Sequence, residues 1–399
     1  MIILRRIMKK LVSVVLSLII LAACTEKQEN ILNYEVRIIN GIENIINDNT
    51  PSVLVEELNI NLKKVLEING TDSVNDHFRS ASYFTVDDNG NIYIFDESDL
   101  KISKFDKNGK FQFDFGGSGT GPGEFQGVMG MGCLKDTMFI IDTPVKKFNR
   151  FSTDGKFINS SIMPAFISLY NDIFCKNGLL WISRLSFKRL EDRAEFHKII
   201  ESRESSLKRV AVFDSSSTDY PPKDLKGELL ITKTAAVIDS IMYIANKGDF
   251  FDYRIEVRDP QNNLKRVIRK KYARLKVTDP EKDAVKEKYT LLNDPDMSNE
   301  DIAERINSYD YKPAIRWIYT DKNDRLWVEE SRTIEDPDDT RMKFSIFENG
   351  IYLNSILLDF GTNSNLSFYD VLSAGSIRFI GEMIYVLDKN ENRLSVFEY

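Results

Sequence analysis

Histidine and cysteine are scarce in this chain. Its 399 residues include two histidines, His77 and His197, and three cysteines, Cys24, Cys133 and Cys175. Zinc sites in proteins usually take several such side chains as ligands, so the composition disfavours a multi-histidine metal site. We interpret Cys133 and Cys175 as buried and unpaired, because both are expected at the ends of inner strands of neighbouring repeats, farther apart than a disulfide allows.

The chain also lacks an excess of basic residues. It has 54 Lys and Arg against 61 Asp and Glu, a formal net charge of −7. Four of the basic residues lie in the N-terminal segment; without them the balance is 50 against 61, or −11. Binding to a phosphate backbone depends on clustered Lys and Arg, so we expect no nucleic-acid partner.

Familiar catalytic motifs are missing as well. No Gly-x-Ser-x-Gly sequence is present, so an α/β-hydrolase has no support. The glycine-rich stretch 116–123 lacks the lysine of a phosphate-binding loop and a following helix, and we interpret it as a connector between repeats. His197 lies in a charged stretch expected to form a hairpin, with no recognisable partner motif. A non-enzymatic role is therefore favoured.

The N-terminus has the layout of an export signal. Arg5, Arg6, Lys9 and Lys10 precede a mostly apolar run over residues 11–20. This run is too short to cross a membrane, which takes about 20 apolar residues, and it is typical of a secretory signal.

The end of this signal, Leu21-Ala22-Ala23-Cys24, resembles the lipobox of bacterial lipoproteins. The resemblance implies that residues 1–23 are removed as a signal peptide and that Cys24 carries the lipid. More than one acyl chain makes such an anchor stable without a membrane-spanning segment. The alternative is an ordinary signal followed by a chance cysteine.

The residues after the anchor bear on location. Thr25 stands where an aspartate retains lipoproteins in the inner membrane of enteric bacteria. We therefore expect a lipid-anchored protein of the cell envelope, in the outer membrane, with the periplasmic and surface leaflets both open. Residues 24–53 are expected to form the lipidated cysteine and a tether.

A strand motif recurs through the rest of the chain. Six times an aromatic residue sits inside a short apolar run that follows a tight turn. The six aromatic residues are Tyr93, Phe139, Trp181, Tyr243, Trp327 and Tyr385. Such recurrence indicates a radially repeated β-sheet protein. The sequence predicts an all-β protein, a six-bladed β-propeller over residues 54–399, with the six aromatic residues packed between blades.

The clearest repeat extends from Phe84 to Phe125. It has turns at 87–90 and 106–109, and it ends in Gly-Pro-Gly-Glu-Phe at 121–125. This stretch resembles an NHL repeat, and the chain from about Leu54 resembles the NHL-like six-bladed propeller lipoproteins of Gram-negative bacteria. The resemblance implies a fold and a location more than an activity.

The last repeat is one strand short, since the chain reaches Tyr399 after three strands. An unpaired edge is a liability in an all-β protein. Residues 62–68 have strand character and precede the first repeat. We predict that they supply the outer strand of the last blade and close the ring.

A small helical insertion is predicted between blades four and five, at about 273–312. Asp279-Pro280-Glu281 is a good helix start, because proline suits the first turn and acidic residues favour that end. Ser298 with Asp301 is a capping-box-like start for a second helix. These amphipathic helices are expected either to pack on the rim of the propeller or to form a lid over its central opening.

Candidate binding residues lie where the second strand of each blade ends, on the funnel face around the central opening. They are Asp96, Asp142, Arg184, Asn246, Glu330 and Asp388. Such a mostly acidic ring suits a cation or a basic or polyhydroxyl ligand. The alternative is that each short acidic side chain binds the amides of its own loop.

Two functions remain open at this point. The first is a membrane-tethered binding or scaffold module without a cofactor, which presents its funnel face to a glycan, peptide or protein partner. The second is a calcium-assisted hydrolase or lactonase, because calcium prefers oxygen ligands. In that case Asp96, Asp142, Asn246, Glu330 and Asp388 would be the ligands, by analogy with other six-bladed propellers alone.

The anchor assignment makes the first prediction. Substitution Cys24→Ser should abolish labelling by fatty acid and release the protein from the membrane fraction, because the acyl chains supply the membrane affinity. Metabolic labelling and fractionation measure both effects. Labelled, membrane-bound Cys24→Ser protein would show the assignment to be wrong.

Overall fold

A computed structural model gives the structure of the chain. It describes residues 33–52, 60–70, 77–142, 144–162, 170–176, 179–188, 191–199, 208–214, 232–238, 241–247, 252–259, 263–283, 311–332, 341–361 and 377–399. Side chains are described in most of these ranges but not in 170–214. The predicted signal peptide, Cys24 and the second predicted helix lie outside this set.

The described residues form 26 strands. The first three, β1 (Tyr34–Ile39), β2 (Ile42–Asn47) and β3 (Lys63–Asn69), precede the repeats. Blade one has β4 (Ala81–Val86), β5 (Ile92–Asp96), β6 (Lys101–Phe105) and β7 (Phe111–Gly116). Blade two has β8 (Val128–Leu134), β9 (Thr137–Asp142), β10 (Lys147–Ser152) and β11 (Phe157–Ile162). Blade three has β12 (Tyr170–Lys176), β13 (Leu179–Lys188), β14 (Glu191–Ile199) and β15 (Lys208–Asp214).

The second half of the ring repeats the arrangement. Blade four has β16 (Thr232–Ile238), β17 (Ile241–Lys247), β18 (Arg254–Arg258) and β19 (Leu264–Lys270). Blade five has β20 (Ile315–Thr320), β21 (Leu326–Glu330), β22 (Met342–Glu348) and β23 (Ile351–Leu358). Blade six has β24 (Ile377–Ile380), β25 (Met383–Asp388) and β26 (Arg393–Glu398). The strands form six sheets, and the predicted six-bladed propeller is confirmed.

The six aromatic residues all lie on the second strand of a blade, as predicted. Tyr93, Phe139 and Trp327 are fully buried. Apolar clusters lie between adjacent blades: Phe84 of blade one packs 6.3 Å from Tyr385 of blade six, between ring centroids. The hydrophobic core is thus a set of layers, each shared by two blades.

Turn aspartates hold the first and second strands of blades one and five together. In blade one, Asp87 Oδ1 accepts hydrogen bonds from the amides of Asn89 and Asn91 at 2.9 and 2.8 Å, and Gly90 has φ +83°. Tyr93 then donates its hydroxyl proton to Asp87 Oδ2 at 3.0 Å. The second-strand aromatic is therefore also a hydrogen-bond donor here, beyond the packing role that the sequence predicted.

Blade five has the same arrangement. Asp321 Oδ1 accepts from the amides of Asn323 and Arg325, and the Trp327 ring nitrogen donates to Asp321 Oδ2 at 2.9 Å. In both blades the aromatic residue follows the aspartate by six positions. That six-residue spacing is visible in the sequence and is a signal for this hydrogen bond.

The connector between blades one and two is confirmed. Gly116 has φ +90°, and a Cβ atom there would come 2.4 Å from the buried ring of Phe125. Glu124 folds back over the loop and accepts a hydrogen bond from the Gly121 amide at 2.7 Å. The glycines thus let Phe125 and Glu124 approach the backbone closely.

The ring closes as the sequence predicts. Strand β3 pairs antiparallel with β26, from Asn69 opposite Arg393 to Lys63 opposite Glu398. Ile68 of β3 is buried in the cluster shared by blades six and one. A strand from before the first blade therefore completes the last one.

The N-terminal segment differs from the expected tether. Residues 34–47 form an antiparallel hairpin, and its second strand pairs in parallel with β19, so the sheet of blade four has six strands. Asn40 and Gly41 have φ of 51° and 79°, which suits an Asn-Gly hairpin turn. The tether predicted over 24–53 is thus wrong for this part.

Asn47 fixes the hairpin to two blades at once. Its Nδ2 atom donates to the carbonyl oxygens of Arg269 in blade four and Gly350 in blade five, both at 3.0 Å. Its Oδ1 atom accepts from the Tyr352 amide at 2.8 Å. One buried amide side chain therefore links the hairpin, blade four and blade five.

The insertion begins with the predicted helix, of which residues 279–283 are described. Thr278 is the cap: its amide and hydroxyl both donate to Glu281 Oε2 at 2.9 Å. Glu281 also pairs with the buried Lys312. The Lys312 amide donates to Leu275 O at 2.8 Å, which joins the two ends of the insertion.

His197 lies near the end of β14, which pairs antiparallel with β15 as the predicted hairpin requires. Cys133 is buried and forms no disulfide, as expected, whereas the side chain of Cys175 lies outside the described set. Within the described ranges, no helix is long and apolar enough to span a membrane.

Ring closure generates a stability prediction. Ile68→Ala should lower the free energy of unfolding by about 2–5 kcal/mol, because it removes buried methyl groups and leaves a cavity. Val65→Ala on the same strand is the control: Val65 is 43% exposed against 5% for Ile68. Urea unfolding measures both variants. Equal decreases in the free energy of unfolding would contradict the burial of Ile68 between blades six and one.

Candidate functional site

The structure places four of the six candidate residues as predicted. Asp96, Asp142, Glu330 and Asp388 are the last residues of β5, β9, β21 and β25, and all four are buried. Arg184 lies within β13, which continues to Lys188, and Asn246 is the penultimate residue of β17. The side chains of these two are outside the described set.

Asp96 and Asp142 bind the chain that enters their own blades. Asp96 accepts hydrogen bonds from the amides of Arg79 and Ser80 at 3.0 and 3.1 Å, and from the amide and hydroxyl of Ser98 at 2.9 and 2.7 Å. Asp142 accepts from the amides of Gln126 and Gly127 at 3.0 and 3.1 Å. Each carboxylate thus fixes the connector that leads into the inner strand.

The two carboxylates differ in their number of donors. Burial favours the neutral form of Asp96, but the bonds from Ser98, Arg79 and Ser80 outweigh it and hold the pKa below its usual value. Asp142 has fewer donors, so burial prevails and raises its pKa. The opposite pKa shifts of Asp96 and Asp142 thus follow from the number of hydrogen bonds that each carboxylate accepts.

Asp388 caps the turn that follows it. Its Oδ1 atom accepts from the amides of Asn390 and Glu391 at 3.1 and 3.2 Å, and its Oδ2 atom lies 3.5 Å from an Arg393 nitrogen. This is the alternative that the sequence left open, in which a short acidic side chain binds its own loop.

Glu330 belongs to a buried ion-pair cluster between blades four and five. Lys270 Nζ lies 2.7 Å from Glu330 Oε1 and 2.7 Å from Ser345 Oγ, and Lys343 Nζ lies 3.0 Å from Glu330 Oε2. The Tyr352 ring centroid is 4.3 Å from Lys270 Nζ.

Opposing effects act on the two charges of this pair. Burial alone would raise the pKa of Glu330, but Lys270 and Lys343 outweigh it and hold the pKa below its usual value. Burial lowers the pKa of Lys270, and Glu330 opposes this shift. The sequence did not indicate this pairing, because 60 residues separate the partners.

The four buried acids therefore have separate partners in their own or neighbouring blades. Among the residues that the structure describes, no group of three or more His, Cys, Asp and Glu side chains lies together in a way that would hold a metal ion. The four described acids of the candidate ring thus make separate contacts.

A different group of side chains lies beside these acids, where the second strands end. Tyr83 pairs with Phe95, next to Asp96. Its hydroxyl lies 3.9 Å from Met129 Sδ, and the Lys389 ammonium lies 5.2 Å from its ring centroid.

The three residues come from three blades. Tyr83 is in blade one, Met129 is in blade two, and Lys389 directly follows the last residue of β25 in blade six. All three are half-buried. We call Tyr83, Met129 and Lys389 the Tyr83 cluster; it offers an aromatic ring, a thioether and a cation at one place.

The fold agrees with a match to a known family. Residues 82–218 match the model of a family described as a 6-bladed beta-propeller. No curated protein matches the sequence.

Several solved structures show a remote similarity. A member of the DUF4221 family from Bacteroides vulgatus is 14% identical, with a TM-score of 0.49 over 85% of this chain and 97% of that one. A candidate exported protein from Bacteroides fragilis is 11% identical, with a TM-score of 0.46 over 89% and 98%. A streptogramin B lyase is 10% identical, with a TM-score of 0.41 over 84% and 97%. None of these similarities bears on activity.

The buried ion pair generates a third prediction. Glu330→Gln should lower the free energy of unfolding at neutral pH by about 3–5 kcal/mol, because it leaves the Lys270 charge buried without its partner. Glu382→Gln, in the exposed pair with Lys322, is the control and should change stability little. Urea unfolding at several pH values measures both.

The pH dependence has a defined sign. The folded-state pKa of Glu330 is lowered, so its stabilisation is present above its unfolded-state pKa and is lost as pH falls through the folded-state pKa. The difference between Glu330→Gln and the wild type should therefore shrink in acid. A neutral-pH loss no greater than that of Glu382→Gln would contradict a stabilising role for the pair.

Proposed function

We propose that this protein is a lipoprotein of the cell envelope that acts as a binding or scaffold module. The charged, apolar and small-residue layout that ends at Cys24 supports export and lipidation. The absence of an aspartate at position 25 favours the outer membrane. The propeller then presents its funnel face to a partner.

The Tyr83 cluster carries the proposal for the binding surface. A half-exposed tyrosine ring can stack on a sugar ring or on a planar peptide side chain while its hydroxyl stays polar. Lys389 beside it suits an acidic group, and Met129 adapts to irregular apolar shapes. This combination suits a glycan, a peptide or a protein segment that carries acidic groups.

Binding is preferred over calcium-assisted hydrolysis for a structural reason. The carboxylates that would hold the ion already accept hydrogen bonds: Asp96 and Asp142 from connector amides, and Asp388 from its own turn. Glu330 is paired with two lysines. A calcium ion would have to displace these contacts before it could coordinate.

A thermal-shift screen tests the proposal. A soluble form that begins at residue 25 is screened against acidic and neutral glycans, acidic peptides, calcium and a chelator. A ligand at a hundred times its dissociation constant stabilises the folded state by about 2.7 kcal/mol, which gives a measurable shift. Tyr83→Ala and Lys389→Ala should each reduce this shift.

The control is Lys107→Ala, an exposed lysine in the turn between β6 and β7. It removes the same charge at the opposite end of blade one and should leave the ligand shift unchanged. A shift from calcium that the chelator reverses would instead favour the metal-dependent enzyme. A ligand shift insensitive to Tyr83→Ala and Lys389→Ala would place binding elsewhere.

A further inference from the structure

Strand β1 is an exposed edge strand with apolar side chains. Five of its six residues are exposed, with Val36 at 53%, Ile38 at 70% and Ile39 at 43%. One edge of β1 pairs with β2. No other described strand pairs with the opposite edge, so a row of backbone donors and acceptors lies along it.

Natural edge strands are usually protected by charged side chains, especially lysine, by proline or by a bulge. Strand β1 has no lysine, proline or bulge, and its two charges, Glu35 and Arg37, are opposite in sign, so they do not repel a second copy of the same strand. It therefore keeps the features of a strand that accepts another strand.

The sequence of β1 is complementary to itself. In an antiparallel pair centred on Val36, Glu35 of one chain lies opposite Arg37 of the other, and Tyr34 lies opposite Ile38. The two-fold arrangement repeats each pair, so it contains two oppositely charged pairs and two aromatic–aliphatic pairs. Pairs of both kinds stabilise antiparallel strands.

The alternation of side chains along β1 also separates its apolar residues from its charged ones. Tyr34, Val36 and Ile38 alternate along the strand and so point to one side of the sheet. Glu35 and Arg37 point to the other side, where their side chains already form an ion pair 2.6 Å long within one chain. A second strand in the same sheet would place Tyr34, Val36 and Ile38 of both chains side by side on the apolar face, and it would extend the charged face into a four-residue network.

We propose that two copies of this protein associate through β1, in an antiparallel pair centred on Val36. The two six-stranded sheets of blade four then become one continuous sheet. A single strand pair is a small interface, and a common membrane anchor would assist it by raising the effective concentration of the two chains.

Disulfide cross-linking in membranes tests the register, with the full-length protein. In Val36→Cys, the two cysteines face each other with Cα atoms about 4.5–5.5 Å apart, which a disulfide spans. Mild oxidation should therefore give a product of twice the chain mass on a non-reducing gel. The wild type, which keeps its own cysteines, is run beside it.

Ile38→Cys is the matched control. Ile38 faces Tyr34, so two copies of residue 38 lie about 13 Å apart along the strands and should not form the bond. Because Ile38 is more exposed than Val36, random collision would cross-link Ile38→Cys at least as well. Equal products from both variants, no dimer from Val36→Cys, or a product with a different mass would overturn the proposal.

A charge exchange tests the pairing independently. Arg37→Glu in the Val36→Cys background places a second carboxylate against Glu35 of the other chain, and the dimer product should be lost. The double change Glu35→Arg with Arg37→Glu restores opposite charges and should restore the product. Failure of the double change to restore it, in protein that unfolds at the wild-type temperature, would overturn the register.

Discussion

The pairing of β3 with β26 is the contact on which the rest of the propeller depends. Each apolar layer is shared by two adjacent blades, so no blade buries both of its faces alone. Blade six gains its outer strand from residues that precede blade one. The β3–β26 pair thus joins the two ends of the propeller chain, and the packing of blade six on blade one brings Lys389 beside Tyr83.

The local parts of the fold were predictable because their causes are local. The aromatic residue after each turn located the second strands, and the missing strand of blade six predicted the role of residues 62–68. The hairpin at 34–47 was missed although its signal is present, since Asn40-Gly41 separates two runs rich in isoleucine. Its parallel pairing with β19 joins residues more than 200 positions apart, which no local pattern indicates.

In the candidate site too, local features were predictable from the sequence and long-range contacts were not. The positions of the four acids followed from where the strands end, but their partners did not. Lys270 reaches Glu330 from the fourth strand of blade four, and Asp142 accepts hydrogen bonds from the amides of a connector. The Tyr83 cluster was missed because its three members belong to three blades and none forms part of a motif.

The N-terminal hairpin also determines how a mechanical load would enter the molecule. A pull on the segment before residue 33 first meets Asn33, which holds Pro51 O and the Asp48 amide at 2.7 Å each. The force next acts on β1 and β2, which lie outside the four strands of blade four. The closing strand β3 comes later in the chain. The hairpin can therefore separate from β19 without breaking the pairing of β3 with β26. The hairpin thus lies between the N-terminal segment and the strand that closes the ring.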